Sequence, residues 1–484
     1  MRQPGYDRLR FPRLFAFGIS ALTTFGCAVG PNHKAPEIKT PEHFKDERTP
    51  SEKSFADLPW WEVHRDPTLF ALIREATEGA YDLRIAMARV EIARQAHRAA
   101  VWALWPTLGV QAGVGDAIGT LDVPSVYPPQ NLSGNFALGA GASWEPDVWG
   151  RLRRLAGAAK HEFQATDEDR RGVYIALVGD VAQLYFSLLS LDLQKDFAQQ
   201  ARVAREETLH LFEARSGGGV SNELEVSRAR ASLKQVEASL TVIGLGIGTT
   251  ENALSYLLAR LPSPIKRGVS LDALQFLPSI PSGLPSTLLR RRPDVRSAEK
   301  ILLAQNDKIG AELADFFPKF QLTGYLGVAT PNLKDASFVR GGVGLLNWTL
   351  PFLGGERTRA EYAAAKAAWE GSVVAYERAV GNAFREVANS LIAVSMLGER
   401  RTALDAQLAA ASDAERHALE RYRGGVADYL DVLTAQEQKL AVQLEVAEVM
   451  GRQHSAVAQL YRALGGGWPL PDEDKDDDKS NKKK

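Results

Sequence analysis

The stretch RYRGGVADYLDVLTAQ, Arg421–Gln436, has a weaker copy earlier in the chain. In RSGGGVSNELEVSRAR, Arg215–Arg230, the same glycine pair and the same apolar spacing recur. Both copies interrupt stretches without proline, at 147–261 and 352–468. Such stretches permit very long helices, because an interior proline would break the backbone hydrogen-bond ladder. Each copy therefore predicts the tip of a helical hairpin, and the pair predicts a duplicated fold.

The duplication extends beyond the tips. FFPKF near Pro318 corresponds to LWPTL near Pro106, and NWTLPFLGGERTR corresponds to SWEPDVWGRLR. The offset in residue number between corresponding segments is nearly constant. Glycine closes the first helix of each hairpin, and Ser, Asn or Asp caps the second. The expected organisation begins with a signal peptide at 1–26 and an N-terminal lipidated extended segment at 27–65. The first repeat spans 66–262, with a β-hairpin at 107–144 and a tip at 216–222, and a linker at 263–287 follows it. The second repeat spans 288–468, with a β-hairpin at 319–348 and a tip at 423–428, and a charged, disordered tail occupies 469–484.

Four segments are predicted to form strands. They are Thr107–Gly115, Phe136–Trp144, Lys319–Val328 and Phe338–Trp348. In the second of them, apolar residues alternate with small ones, which is typical of a strand in a membrane barrel. Beyond the signal peptide there is no run of about 18 apolar residues, so a spanning helix is not expected. Four strands cannot close a barrel that needs about eight, so either several chains share one barrel or the protein is soluble with two ordinary hairpins.

The N-terminus predicts export. Four arginines precede the apolar run LFAFGISALTTFG, Leu14–Gly26, which has the length of a signal-peptide core. The only cysteine, Cys27, follows directly and has no partner for an internal disulfide. Its surroundings resemble a bacterial lipobox, which implies a covalent lipid on Cys27, and Ala28 favours sorting to the outer membrane. The alternative is an ordinary signal peptide followed by a chance cysteine.

The composition gives no sign of an enzyme or of a nucleic-acid binder. Lys+Arg 58 and Asp+Glu 59 leave a net charge of -1, which does not attract a polyanion. The eight histidines form no HExxH pair, and there is no CxxC, so neither a metal nor another cofactor is expected. GLGIGT, Gly244–Thr249, lacks the context of a nucleotide loop. Arg290, Arg291 and Arg292 precede Pro293 and indicate the start of a helix.

Three blocks carry a resemblance to a known family. WWEVHRDPTLFALIREATEGAYDLRIAMARVEIARQ at 60–95, LLRRRPDVRSAEKILLAQNDKIGAELADFFPKFQLTG at 288–324 and the second tip resemble the NodT-type branch of the TolC-like outer-membrane efflux proteins. The resemblance extends from Cys27 to about Trp468. It implies a mixed α/β membrane protein, a homotrimer with a shared 12-stranded β-barrel, four strands per chain, in outer-membrane lipid. It also implies a long α-helical periplasmic tunnel built from two structural repeats.

The resemblance implies a passive exit channel of a tripartite efflux pump. The partners would be a periplasmic adaptor (membrane fusion) protein and an inner-membrane transporter of the resistance-nodulation-division type. Two alternatives stay open. One is an outer-membrane channel for type I protein secretion. The other is a non-conducting coiled-coil lipoprotein scaffold, which would not need the alternating strands.

The resemblance also assigns functions to the tips. Asp431 matches an aperture aspartate of the family, and a ring of such carboxylates would gate the tunnel. Asp428 is either part of this gate or, as we favour, a helix cap. Tyr429 and Leu430 either narrow the aperture or pack the hairpin. Residues expected to contact the adaptor are Gly218, Gly219, Val220, Ser221, Gly424, Gly425, Val426 and Ala427.

Overall fold

The structure is a computed structural model that describes residues 28–33, 66–114, 136–217, 223–274, 285–330, 339–349 and 355–466. In chain order the elements are helices α1 and α2, strands β1 and β2, helices α3 to α6, strands β3 and β4, and helices α7 and α8. Their bounds are α1 Pro67–Gly79, α2 Tyr81–Trp102, β1 Thr107–Val114, β2 Phe136–Trp144, α3 Arg151–Gly217, α4 Glu223–Leu257, α5 Pro285–Arg291, α6 Pro293–Ala314, β3 Lys319–Thr330, β4 Val339–Thr349, α7 Gly355–Arg423 and α8 Tyr429–Ala463.

Two of these helices are exceptionally long. Helix α3 has 67 residues and α7 has 69, and each lies in a stretch without proline. A rise of about 1.5 Å per residue makes each roughly 100 Å long. Helices α4 and α8, with 35 residues each, follow them as the second arms of the two hairpins.

The four strands form one antiparallel sheet in the order β1-β2-β3-β4. Each lies where the sequence predicts a strand: β2 has the predicted bounds, and the ends of the other three differ by at most two residues. The central pair joins the two halves of the sequence, since Leu138 of β2 faces Val328 of β3. The outer edges of β1 and β4 have no partner strand in this sheet.

The described residues divide into two compact units. The sheet unit takes its residues from within 1–37, 90–166 and 298–376, and the helical unit takes its residues from within 38–89, 167–297 and 377–484. Each unit therefore draws on both halves of the chain. The physical reason lies in the pairing, because β2 of one half hydrogen-bonds to β3 of the other, and helices from the two halves pack their apolar side chains together.

The core of the helical unit lies between α3 and α8. Tyr185, Phe186 and Leu188 of α3 are fully buried, as is Leu460 of α8. The hydroxyl of Ser190 donates a hydrogen bond of 2.8 Å to the carbonyl oxygen of Ala447. Gly451 allows this approach, because a Cβ there would lie 2.7 Å from the Cβ of Ser190. His454 stacks on Phe186 at a ring separation of 5.0 Å.

One described helix, α3, has the length and composition of a membrane-crossing helix, which the sequence did not lead us to expect. In its most apolar window 44% of the residues are buried, so packing within the helical unit accounts for much of this apolar character.

Candidate functional site

The second hairpin tip is closed by a Schellman motif. Gly425 has a φ of 71°, the left-handed conformation that glycine adopts at little cost. Its N–H donates to the carbonyl of Tyr422 at 3.0 Å, and the N–H of Val426 donates to the carbonyl of Arg421 at 3.1 Å. These two bonds satisfy carbonyls that the end of α7 leaves open. Gly424 and Gly425 thus end the first arm of the hairpin.

Asp428 starts the second arm. It is the N-cap of α8, and its Oδ1 accepts a hydrogen bond from the N–H of Leu430 at 3.4 Å. The backbone of Asp428, with φ −77° and ψ 154°, is extended, as an N-cap requires. The structure therefore supports the capping interpretation that the sequence favoured over a gate.

Tyr429 packs inside the hairpin. Its side chain is buried, with 5% exposed, in a cluster of apolar residues from both hairpins. The ring lies edge-on to Phe212 at 4.6 Å and to Tyr422 at 5.4 Å. Burial raises the pKa of the Tyr429 hydroxyl.

The opposite face of the same helical turn is open. Leu430 is 43% exposed, and Asp431 and Thr434 are exposed as well. Thr434 donates its hydroxyl hydrogen to the carbonyl of Leu430 at 2.9 Å. Asp431 forms no ion pair with any residue in the described part of the chain. Its position in the first turn of α8 also suits the helix dipole, which stabilises a nearby negative charge.

The residues that flank the two tips lie side by side. Phe212 and Val226, on either side of the first tip, share a buried cluster with Tyr429 and Val432 of the second hairpin. Nη1 of Arg215 also donates to the hydroxyl of Tyr422 at 3.0 Å. The first-tip residues Gly218, Gly219, Val220 and Ser221 lie outside the described residues. At the second tip Val426 is 69% exposed, while Ala427 is half-buried.

The sheet presents an exposed apolar face. Leu108 and Val110 of β1 are 83% and 78% exposed. The pairing register sets Val110 beside Ala140, and Ala140 beside Leu326, so this face runs across the strands. Other exposed members are Leu138, Leu346 and Trp348. Water-exposed apolar surface of this extent is unfavourable and marks a surface that contacts lipid or protein.

In β1 and β2 the other face of the sheet carries polar and small residues. Thr107 donates its hydroxyl hydrogen to the carbonyl of Ser143 at 3.1 Å, and Gln321 donates to the Ser143 hydroxyl at 3.2 Å. Gly109 lies between Leu108 and Val110, and a Cβ there would contact nothing within 4 Å. The two faces therefore differ in polarity, as they do in a strand that separates lipid from water.

Tryptophans gather where the strands meet the helices. Trp102 and Trp105, just before β1, are 68% and 61% exposed, and Trp348 near the end of β4 is 68% exposed. Nε1 of Trp144 donates to the carbonyl of Leu104 at 2.9 Å, and Nε1 of Trp149 donates to that of Pro318 at 2.9 Å. Tryptophan is enriched where a membrane protein crosses from lipid to water.

No group of three His, Cys, Asp or Glu side chains suited to a metal ion occurs within the described ranges.

The sequence did not reveal the buried charge of Arg292. Pro293 does start α6, as predicted. Arg292, interpreted only as part of a helix start, is 7% exposed and pairs with two carboxylates. Its position inside the RRRPDVR block was the only signal, since its distant partners are not visible from spacing.

Comparisons with known proteins agree with this geometry. The family model described as "Outer membrane efflux protein" matches residues 72–260 and 284–466. The "Solvent efflux pump outer membrane protein SrpC" of Pseudomonas putida is 34% identical over 84% of this chain and 87% of its own length. The "Cation efflux system protein CusC" of Escherichia coli O157:H7 is 30% identical over 93% of this chain and 97% of its own length. The open state of the Neisseria gonorrhoeae MtrE outer membrane channel superposes with a TM-score of 0.81 at 31% identity, over 91% of this chain and 98% of that one.

Proposed function

Because this chain belongs to the outer membrane efflux protein family, we propose that it is the exit channel of a tripartite efflux pump in the outer membrane. Members of this family are channels and not enzymes, so no chemistry is assigned to the chain. The observation that carries the proposal is the four-stranded sheet with one exposed apolar face and two unpaired edges.

An open sheet edge cannot remain in lipid, because nothing there satisfies its N–H and C=O groups. In the barrel that we propose, β1 of one copy pairs with β4 of the next. Three copies supply twelve strands, which is the homotrimer expected for this family. The strands also argue against the scaffold alternative, since a periplasmic coiled coil needs no lipid-facing sheet.

The partners follow from the same proposal. The named relatives belong to solvent and cation efflux systems, which favours small-molecule efflux over type I protein secretion. A passive duct needs an energy source, so we assign it a periplasmic adaptor and an inner-membrane transporter of the resistance-nodulation-division type. The adaptor would contact the exposed tip residues, with Val426 the most accessible apolar side chain among those described.

The gate that we propose is a ring of Asp431 carboxylates at the tips. Exposed Leu430 and Asp431 share the open face of α8, whereas Tyr429 fixes the opposite face in the hairpin core. Three carboxylates around a narrow opening would favour cations and exclude anions. The tight Gly425 turn and the Asp428 cap hold this face in place.

We also propose that Cys27 carries a lipid. The N–H of Val29 donates to the carbonyl of Trp149 at 3.1 Å, and a Cβ on Gly150 would lie 2.8 Å from the Cα of Ala28. These contacts hold Ala28 and Val29, which follow Cys27 in the sequence, against the segment between β2 and α3. Mass spectrometry of the mature N-terminus checks this, because a free Cys27 thiol would refute it.

Single-channel conductance in planar bilayers tests the proposed function. Purified wild-type protein should give small steps, and Asp431→Asn should enlarge them. Asp428→Asn is the matched control, because it removes a tip charge but keeps an N-cap of similar strength, and it should behave like the wild type. Protein that is trimeric and inserted but gives no steps would overturn the channel, and equal effects of both variants would overturn the assignment of the gate to Asp431.

A further inference from the structure

Arg292 is a buried charged residue of the helical unit and lies between α5 and α6. Its guanidinium donates hydrogen bonds to three residues. Its Nε and Nη2 donate to the two carboxylate oxygens of Asp294 at 3.0 and 2.7 Å. Nη2 also donates to Oε2 of Glu386 in α7 at 2.7 Å. Nη1 donates to the carbonyl oxygen of Ala463, the last residue of α8, at 3.0 Å. One guanidinium therefore holds both arms of the second hairpin.

The two contacts lie at similar distances from the hairpin turn. A helical rise of about 1.5 Å per residue places Glu386 roughly 55 Å from the end of α7 at Arg423, and Ala463 roughly 50 Å from the start of α8 at Tyr429. A rigid fork that binds both arms at this level opposes any sliding of one arm along the other. A slide would change the height of the tip residues.

Close packing reinforces this attachment. Gly465, just beyond α8, has a φ of 73°, and a Cβ there would lie 3.1 Å from the Cβ of Arg291. Burial of Arg292 disfavours its charged form, but the carboxylates of Asp294 and Glu386 outweigh this effect and raise its pKa. The guanidinium therefore stays charged, and removing it would leave Glu386 and the end of α8 without their shared partner.

We propose that Arg292 is a positioning residue for the tunnel aperture. It sets the register of the two hairpin arms and thereby the position of Asp431 along the length of the hairpin. The proposal rests on the proposed channel function. It requires arginine in particular, since a lysine ammonium has only three donors and lacks the planar fork that reaches four acceptor oxygens on three residues at once.

Arg296 provides the matched control. It lies one turn further along α6 and is also largely buried, but its Nη2 pairs with Glu168 of α3 at 2.8 Å. Its side-chain pairing therefore involves neither arm of the second hairpin. Arg296→Lys weakens a buried ion pair in the same part of the helical unit and leaves the arm-to-arm bridge intact.

The experiment compares Arg292→Lys, Arg296→Lys, Asp431→Asn and the double variant Arg292→Lys/Asp431→Asn. The amount of heat-modifiable trimer and the single-channel records are measured for each. We expect both lysine variants to lower the trimer yield, but only Arg292→Lys to raise the ratio of open to closed time, by about fivefold, as contacting residues commonly couple. In the double variant the two effects should be less than additive, because Arg292 acts through the position of Asp431.

Arg292→Lys channels with the records of the wild type would overturn the proposal and leave Arg292 a purely structural role. If Arg292→Lys yields no trimer, Glu386→Gln is measured in its place, since glutamine keeps an acceptor oxygen but weakens the bond to α7. An increased ratio of open to closed time in Glu386→Gln would support the proposal, and the records of the wild type would overturn it. A wild-type protein without steps is a separate result, because it refutes the channel itself.

Discussion

At the scale of single residues, Tyr429 and Asp431 show how much the sequence can reveal about the tip. Tyr429, Val432 and Leu433 repeat at intervals of three and four, and all three are buried. This spacing was visible in the sequence and predicts packing for Tyr429. Asp431 lies off that stripe and is exposed. Periodicity therefore separates the two residues, whereas the resemblance to a family bore only on Asp431 and left both alternatives open for Tyr429.

Arg292 shows the limit of such reasoning. Its partners Glu386 and Ala463 are 94 and 171 residues away in the chain. No local pattern connects positions that far apart, because only the packing of three helices brings them together. The sequence identified the block as distinctive but could not state which carboxylate it would meet.

His454 should make the stability of the protein depend on pH. Burial against Phe186 lowers the pKa of His454 to about 4 from 6.5. The unfolded chain therefore binds a proton between these values that the folded protein excludes, so stability is lost as the pH falls from 6.5 towards 4, by about 1.4 kcal/mol per unit. Thermal unfolding of the detergent-solubilised trimer at a series of pH values measures this loss. His454→Gln should flatten the dependence.

His417 is the control for this prediction, because its side chain is 62% exposed. His417→Gln should leave the dependence of stability on pH as in the wild type. An unchanged dependence in His454→Gln would show that other groups cause the loss.

At the scale of elements, the helices end where local chemistry ends them. The glycine pair closes α7 and Asp428 opens α8, as the sequence predicts from capping rules. Strand β2 is equally local, because the alternation of large and small residues is visible in its own segment. Strand ends moved by a residue or two, since the register with neighbouring strands decides the last pair.

The two glycines of the second tip should differ in tolerance. Gly425→Ala should destabilise the tip by about 1–2 kcal/mol, because alanine is strained at a φ of 71°. Gly424→Ala is the matched control, since its Cβ would meet the nearest atoms at ordinary distances of 3.5 and 3.6 Å. Hydrogen exchange of the Val426 amide measures local opening. Equal exchange in both variants would show that the left-handed turn is not limiting.

At the scale of the whole molecule, the apolar sheet face is the feature that links fold to membrane. Sequence alternation predicted that one face would be apolar, but not the order of the strands. The pairs β1–β2 and β3–β4 join strands that are consecutive in the chain, yet the pairing of β2 with β3 joins segments from different halves. Chain connectivity alone does not determine that pair.

Two adjacent positions of β1 should differ in how well they tolerate a charged side chain. Val110→Arg places a cation on the apolar face and should cost about 2–4 kcal/mol if the residue lies near the bilayer midplane. Gly109→Arg places the same cation on the other face, where no atom lies within 4 Å of a Cβ. Inserted, heat-modifiable trimer should fall sharply only for Val110→Arg. Equal losses in the two variants would argue against lipid at the face of Val110.

The division of both compact units across the two sequence halves has a consequence for biosynthesis. The sheet is incomplete until β3 and β4 have been synthesised. Arg292 cannot form its hydrogen bond to Ala463 until the end of the described chain has been synthesised as well. Contacts between such distant segments form slowly, because long loops must close first. A nascent chain therefore lacks a complete folding unit until its synthesis is almost finished. Until then the strands of its first half lack their partners from the second half, which exposes their apolar residues to aggregation.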